Sequence, residues 1–553
     1  MTWLKKHIFE IVLVVLAAAF FVLYQFLYLD FFSNPLPKIQ YAGEYEPGFL
    51  IFNQPDEMAN YLFIREWVLH NRIGLPEPLS QVTQSQLHPR SMTVVNGQLV
   101  PISFPGFIVL AAMVLKALHF WDNGAWFNYV VVMITPLSAA VAPLFLYGIV
   151  RRVFERRGLA FMSAVGLFVL PAWWYYASRP LQHMTMFITL LLAAAYSLIE
   201  NKTRLHPWTL FLFTFFWGLA LYIRPTEWLW TLILFGSLIT VIKPKLNASS
   251  ILSGIIGITA VGALFFATQT AFYGHPLASG YVRPQTSGAG GLLTAGPQGI
   301  SLVTALFLPF GFNPWIMIKT AYYYGFKLFA PWFVSALIGL GLVWSSGNKK
   351  LKNYSLMYIG VAGLIFLYYG SWNFSDNLAG LVSIGSSQVR YFLPIYLLSL
   401  PFIVFLISKL WTMHAAGKLT AGMVVIVLGL FSIKSVYLRF EGLWPVKTTV
   451  SQYYDWQRAI FERTPSAAII ATRYADKYIF PGRRVIVNWQ GEGEIRAIAT
   501  LAKLGFPIYW YDVQLNQTDR ARLDINWQAA GLILSHPVAG WDNLELRLIT
   551  FKK

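Results

Sequence analysis

Apolar runs of roughly bilayer-spanning length recur along the chain, punctuated by short basic clusters. The first extends from Ile8 to about Leu29 behind Lys5 and Lys6, too long for the core of a signal peptide, and reads as an uncleaved signal anchor. Further runs lie near 126–150, 158–177, 182–199, 207–223, 228–243, 250–272, 328–346, 353–370, 391–409 and 418–438, which with the first make eleven expected spans. Placing Lys5 and Lys6 on the cytoplasmic side puts Arg151 to Arg157, Lys202 and Arg204, Lys243 and Lys245, Lys349 to Lys352 and Lys409 to Lys418 there as well. That consistency requires the short apolar segment 107–121 to be an interfacial or re-entrant helix, not a span. The first extracytoplasmic loop then covers about 30–121.

After Phe440 hydropathy falls and short alternations begin. Residues 467–471, 485–487, 508–511 and 531–534 read as strands, and 451–463 and 492–504 as helices. The chain divides on this pattern into a membrane domain, 1–440, and a small extracytoplasmic α/β domain with a partly parallel sheet, 441–553. The Gly- and Tyr-rich stretch 273–327 has no long periodicity, and Gly288 to Gly291 give it the flexible points of a lid or a passive connector.

Composition agrees with this reading. Of 553 residues 56% are hydrophobic and 12% charged, which makes the chain a polytopic membrane protein. Its net charge of +18 follows membrane topology, so no nucleic-acid partner is implied. The absence of cysteine excludes thiolate metal sites and cysteine nucleophiles.

The candidate chemistry begins at Pro55-Asp56-Glu57 in the first outer loop. Pro55 suits the first turn of a helix, and Met58, Tyr61, Leu62 and Leu69 follow at helical spacing, so both acids stand at a helix N-terminus. There they complement the helix dipole, and a carboxylate so placed is also able to take a proton from an attacking hydroxyl. Arg90, Arg179, Arg224 and Arg390 fall near the outer ends of spans or in outer loops, and a guanidinium fork binds phosphate at two points. Such arginines also snorkel to lipid head groups. Glu227, three residues after Arg224, is expected to pair with it. His88, His183 and His275 fall outside, with no two at one-turn spacing, so a metal site is not compelled. Asp376 is another outer carboxylate, suited to a metal or to a nearby arginine.

With these residues in place the chain resembles the GT-C glycosyltransferases, especially the branch of protein O-mannosyltransferases and lipid A aminoarabinose transferases. The resemblance rests on Asp56-Glu57 followed by Tyr61, on the long first loop, and on His88-Pro89-Arg90-Ser91, Ile223-Arg224-Pro225-Thr226-Glu227 and Arg390-Tyr391-Phe392-Leu393-Pro394. It implies a GT-C-like polytopic helical fold at the plasma membrane, with the active site on the extracytoplasmic side. It also implies a polyprenyl-phosphate-linked sugar donor and a protein, lipid or glycan acceptor. By the same resemblance Asp56 is the catalytic base with Glu57 beside it, Arg90, Arg179, Arg224 and Arg390 bind the donor phosphate, and Tyr61, His88 and His183 contact substrate. Some members use a divalent metal near the first-loop acid. The alternative from another class is a lipid-linked glycan transporter or flippase, which also combines many spans with outer arginines; a lipid-linked glycan polymerase and a receptor-like scaffold are further alternatives.

Overall fold

The computed structural model describes residues 2–28, 39–41, 44–46, 48–118, 124–199, 206–243, 245–280, 308–372, 381–487, 491–514, 517–541 and 543–552. The glycines at 288–291, Asp376, Lys202 and Arg204 lie outside the described residues.

The chain forms two compact units. One comprises residues 1–29, 132–265 and 284–446, and is built from helices. Among the described residues seven helices are long and apolar enough to cross a membrane: Trp126–Phe154, Pro225–Ile242, Ala248–Tyr273, Pro314–Ser345, Lys349–Tyr369, Leu393–Trp411 and Ala415–Arg463. The pair Arg157–Val169 and Pro171–Ala177 adds an eighth if counted as one span bent by 57°. Its break has a local cause: the proline ring forces the preceding residue out of the helical region, and Leu170 is extended at φ −61°, ψ 119°. Leu419, Ile426 and Leu430, each at least 60% exposed, present apolar surface that would aggregate in water and that a bilayer covers. The chain is a multi-pass membrane protein.

Within the bundle small residues let backbones approach. A Cβ added at Gly339 would lie 2.1 Å from the Phe402 carbonyl oxygen, because helix Leu328–Ser345 crosses Leu393–Trp411 there. Glu10 accepts from Arg151 Nη1 at 2.6 Å and from the Tyr147 hydroxyl at 3.0 Å, so the acid in the first apolar run is matched.

The other unit comprises residues 30–131, 266–283 and 447–553. Division by compactness thus differs from division by hydropathy: the C-terminal residues share a unit with the first loop. Its five-stranded sheet runs Arg484–Val487, Ile469–Thr472, Ile508–Val513, Leu544–Phe551, Leu532–Trp541 in spatial order. The first three pair in parallel, as β-α alternation requires, and the last two add an antiparallel hairpin. The core beneath it joins Ile469, Ile486, Ile498, Trp510 and Trp527 to Leu87 of the first loop. Helix Gly106–Ala117, twelve residues long and too short to span, packs its buried Phe107, Ile108 and Leu115 in the same unit, beside helix Pro55–His70.

Gly339→Ala is expected to destabilise the helical unit by about 1–3 kcal/mol, read as a lowered midpoint of thermal unfolding in detergent. Gly341→Ala, with open space around its added Cβ, should leave the midpoint unchanged.

Candidate functional site

Helix Pro55–His70 starts as its sequence dictates. Gln54 is extended at φ −115°, Pro55 occupies the first turn, and the Gln54 backbone N–H donates to Glu57 Oε2 at 3.1 Å, half of a reciprocal capping box. The helix is not amphipathic in the expected sense. Glu57, Asn60, Arg65 and Glu66 are as buried as Met58 and Leu62. Glu57 is fully buried at the helix terminus, whereas Asp56 is half-buried and accepts from Ser91 Oγ at 2.5 Å. Ser91 has φ +60°, a left-handed conformation uncommon for a residue with a Cβ. Two sequence motifs therefore meet here, one through its acid and one through its serine.

The other candidates in this unit are occupied. Arg90 donates to Asp476 from its backbone N–H (2.7 Å to Oδ2), from Nε (2.9 Å to Oδ1) and from Nη2 (2.6 Å to Oδ1), and Nη2 also reaches the Tyr474 carbonyl at 2.8 Å. Tyr61 is fully buried among Phe49, Phe52 and Phe127, donating its hydroxyl to Asn128 Oδ1 at 2.6 Å. His88 Nδ1 lies 2.9 Å from its neighbour's carbonyl, Pro89 O.

In the helical unit the sequence stretches around 183, 224 and 390 converge. Arg224 caps helix Pro207–Ile223 and donates through Nε (2.9 Å) and Nη2 (2.6 Å) to Glu227 Oε1. The pairing expected from their spacing is present, with both side chains buried. Glu227 also accepts from the Tyr369 hydroxyl at 2.7 Å and from Trp230 Nε1 at 2.6 Å, so the buried ion pair is fully hydrogen-bonded. Arg224 Nη1 lies 2.8 Å from His183 Nε2. Arginine has only donors, so in this contact Nε2 is the acceptor. The ring of Tyr391 stacks on Tyr369 at 4.6 Å and lies 4.8 Å from the Arg224 guanidinium carbon and 5.2 Å from that of Arg390. Two guanidinium groups are gathered at one aromatic ring, a concentration of positive charge suited to an anion.

Arg179 belongs to the same unit. It is buried and donates from Nη1 to the Tyr175 hydroxyl at 2.8 Å. A Cβ added at Gly385 would lie 2.9 Å from Tyr175 Oη and 3.1 Å from Glu441 Oε2, so the missing side chain leaves room for the hydroxyl and the carboxylate beside this backbone. Ser383 donates to the same Glu441 oxygen. Among the described residues the buried Ser178 Oγ and Gln388 Oε1 lack a hydrogen-bond partner, as polar atoms do where water or a polar ligand completes them. Ser91, Tyr175, Tyr369, Glu441 and Asp476 escaped the sequence reading as functional candidates. Only Ser91, inside a quoted motif, carried a signal. No three of His, Asp and Glu are clustered to hold a metal among the described residues.

No family model and no curated protein sequence matches the chain. Solved structures do. The oligosaccharyltransferase of Archaeoglobus fulgidus in its apo form aligns over 93% of this chain and 70% of its own, at 13% identity and a TM-score of 0.50. ArnT from Cupriavidus metallidurans bound to undecaprenyl phosphate aligns over 97% of both chains, at 14% identity and a TM-score of 0.48. Archaeal AglB from A. fulgidus, in complex with an inhibitory peptide and a dolichol-phosphate, aligns over 92% of this chain and 70% of its own, at 12% identity and a TM-score of 0.48. By its likeness to the first of these the chain carries the GT-C fold.

Proposed function

We propose that this protein transfers a sugar from a polyprenyl-phosphate carrier to an extracytoplasmic acceptor at the plasma membrane. The reading is supported by one observation above all: a half-buried carboxylate, Asp56, held at a helix N-terminus by a serine hydroxyl in a chain with the GT-C fold. The solved structures with undecaprenyl phosphate and dolichol-phosphate bound are named for the same class of lipid. In this reading the seven long helices, the bent pair and the shorter apolar helices His7–Leu23, His183–Ile199 and Pro207–Ile223 make the eleven spans. The basic clusters then face the cytoplasm, and Asp56, Arg179, Arg224 and Arg390 the other side.

The acceptor's hydroxyl or amide attacks the anomeric carbon, its proton passes to Asp56, and the bond from that carbon to the phosphate oxygen breaks. Polyprenyl phosphate leaves with the bonding electron pair. A single displacement of this kind inverts the anomeric centre and needs one base and a stabilised leaving group. Arg390 and Arg179 bind the leaving phosphate. Arg224, its donors committed to Glu227, Tyr369 and His183, adds charge and holds the histidine, whose ring meets the donor. Glu57 secures the helix terminus that presents Asp56, and Tyr61 forms the packed floor beneath it. His88 contacts the acceptor.

Asp56→Asn keeps the size of the side chain and removes the base. Turnover should fall by about two or more orders of magnitude with donor binding retained, measured as label transfer from radiolabelled polyprenyl-phosphate sugars by purified protein in lipid. An equally active variant would end the assignment. Arg390→Lys keeps the charge and loses the fork, so the donor KM should rise by about tenfold with a smaller change in kcat.

A further inference from the structure

Asp56 lies between two stretches of backbone that the C-terminal residues grip separately. Ahead of it, Lys477 Nζ donates to the Asn53 carbonyl at 2.8 Å, and the Ile51 N–H donates to the Tyr454 hydroxyl at 2.9 Å. On the other side, fully buried Asp476 accepts three hydrogen bonds from Arg90, one of them from its backbone N–H. Arg90 directly precedes Ser91, whose left-handed backbone aims its hydroxyl at Asp56. Asp476 and Lys477 open one short helix, Asp476–Ile479, so a single element fixes the backbone on both sides of the carboxylate. The sheet-bearing residues 447–553 supply all of these anchors, within one compact unit.

We propose that Asp476 is a positioning residue for the transfer reaction: through Arg90 and Ser91 it sets the orientation of the Asp56 carboxylate toward the acceptor. The proposal rests on the reading of Asp56 as base. It gives the C-terminal residues a part in the chemical step. A charge-assisted contact in which two side-chain donors share one carboxylate oxygen and a backbone N–H takes the other fixes both ends of a residue, and small displacements of a base cost turnover more than binding.

The test compares Asp476→Asn, Arg90→Lys and Ser91→Ala, each alone and combined with Asp56→Asn, in the full chain purified in lipid. The assay follows transfer from a polyprenyl-phosphate sugar, with folded protein quantified by size exclusion and thermal unfolding. Arg90→Lys retains the charge and the backbone contact, so it reports even if Asp476→Asn fails to fold. The expected result is a fall in kcat of about 10- to 100-fold per folded molecule, with donor KM within about twofold of wild type. Adding any of these changes to Asp56→Asn should produce no further loss, because the group being positioned is already gone. Wild-type kcat in folded Asp476→Asn, or in folded Arg90→Lys if Asp476→Asn fails to fold, would overturn the positioning role and leave Asp56 as base. So would losses that multiply with that of Asp56→Asn, since these mark a general structural effect. Full turnover by Asp56→Asn itself would overturn the base reading and the positioning role with it.

Discussion

A fully buried carboxylate accepting three hydrogen bonds from one arginine is the constraint on which the first loop depends. Removed from water, Asp476 needs a positive partner and donors to match it, and Arg90 supplies both through its side chain and its own backbone. The stretch before Ser91 has no regular secondary structure to define it, so its path is fixed by this contact and by Leu87 in the core beneath the sheet. What looks in the sequence like a loop followed much later by a separate α/β domain shares one compact unit, with Leu87 in the core beneath the sheet and polar contacts at Ile51, Asn53 and Arg90. In the proposed reading the carboxylate at position 56 takes its orientation from these contacts.

The helical unit meets the related problem of charge beside hydrocarbon. Arg224 and Glu227 satisfy each other within one turn, with Tyr369 and Trp230 completing the glutamate and His183 the arginine. The group is therefore rigid and nearly neutral as a whole. Arg390, packed against the Tyr391 ring that also faces Arg224, brings positive charge close by. A neutral, prearranged scaffold carrying an additional guanidinium group suits an anion that must be released as well as bound.

Much of this was legible from the chain because its signals are local. Apolar runs located most of the helices to within a few residues, although Pro314–Ser345 and Ala415–Arg463 run well beyond the expected 328–346 and 418–438, and Arg224 and Glu227 could be paired because three positions bring them onto one turn. Pro55 announced the helix that carries Asp56. The pairing of Arg90 with Asp476 was not legible, since Asp476 lies 386 residues away and no periodicity links them. Nor was the burial of Glu57, Arg65 and Glu66, whose polarity suggests a solvated helix face where the unit supplies an interior. Gly385 gave no sign that its missing side chain admits Tyr175 and Glu441, because that depends on three segments meeting. Residues satisfied by their neighbours in sequence could be read; those satisfied across the fold could not.

The central claim is that the chain breaks the bond between sugar and polyprenyl phosphate, which a transporter of the same lipid would leave intact. The most direct measurement follows a polyprenyl-phosphate sugar, radiolabelled in the sugar, in proteoliposomes containing the purified protein and membrane extract as acceptor. With a transferase, label leaves the lipid fraction and appears in a new covalent product as free polyprenyl phosphate accumulates. Label that stays on its lipid while crossing from one leaflet to the other would contradict transfer and identify the protein as a flippase.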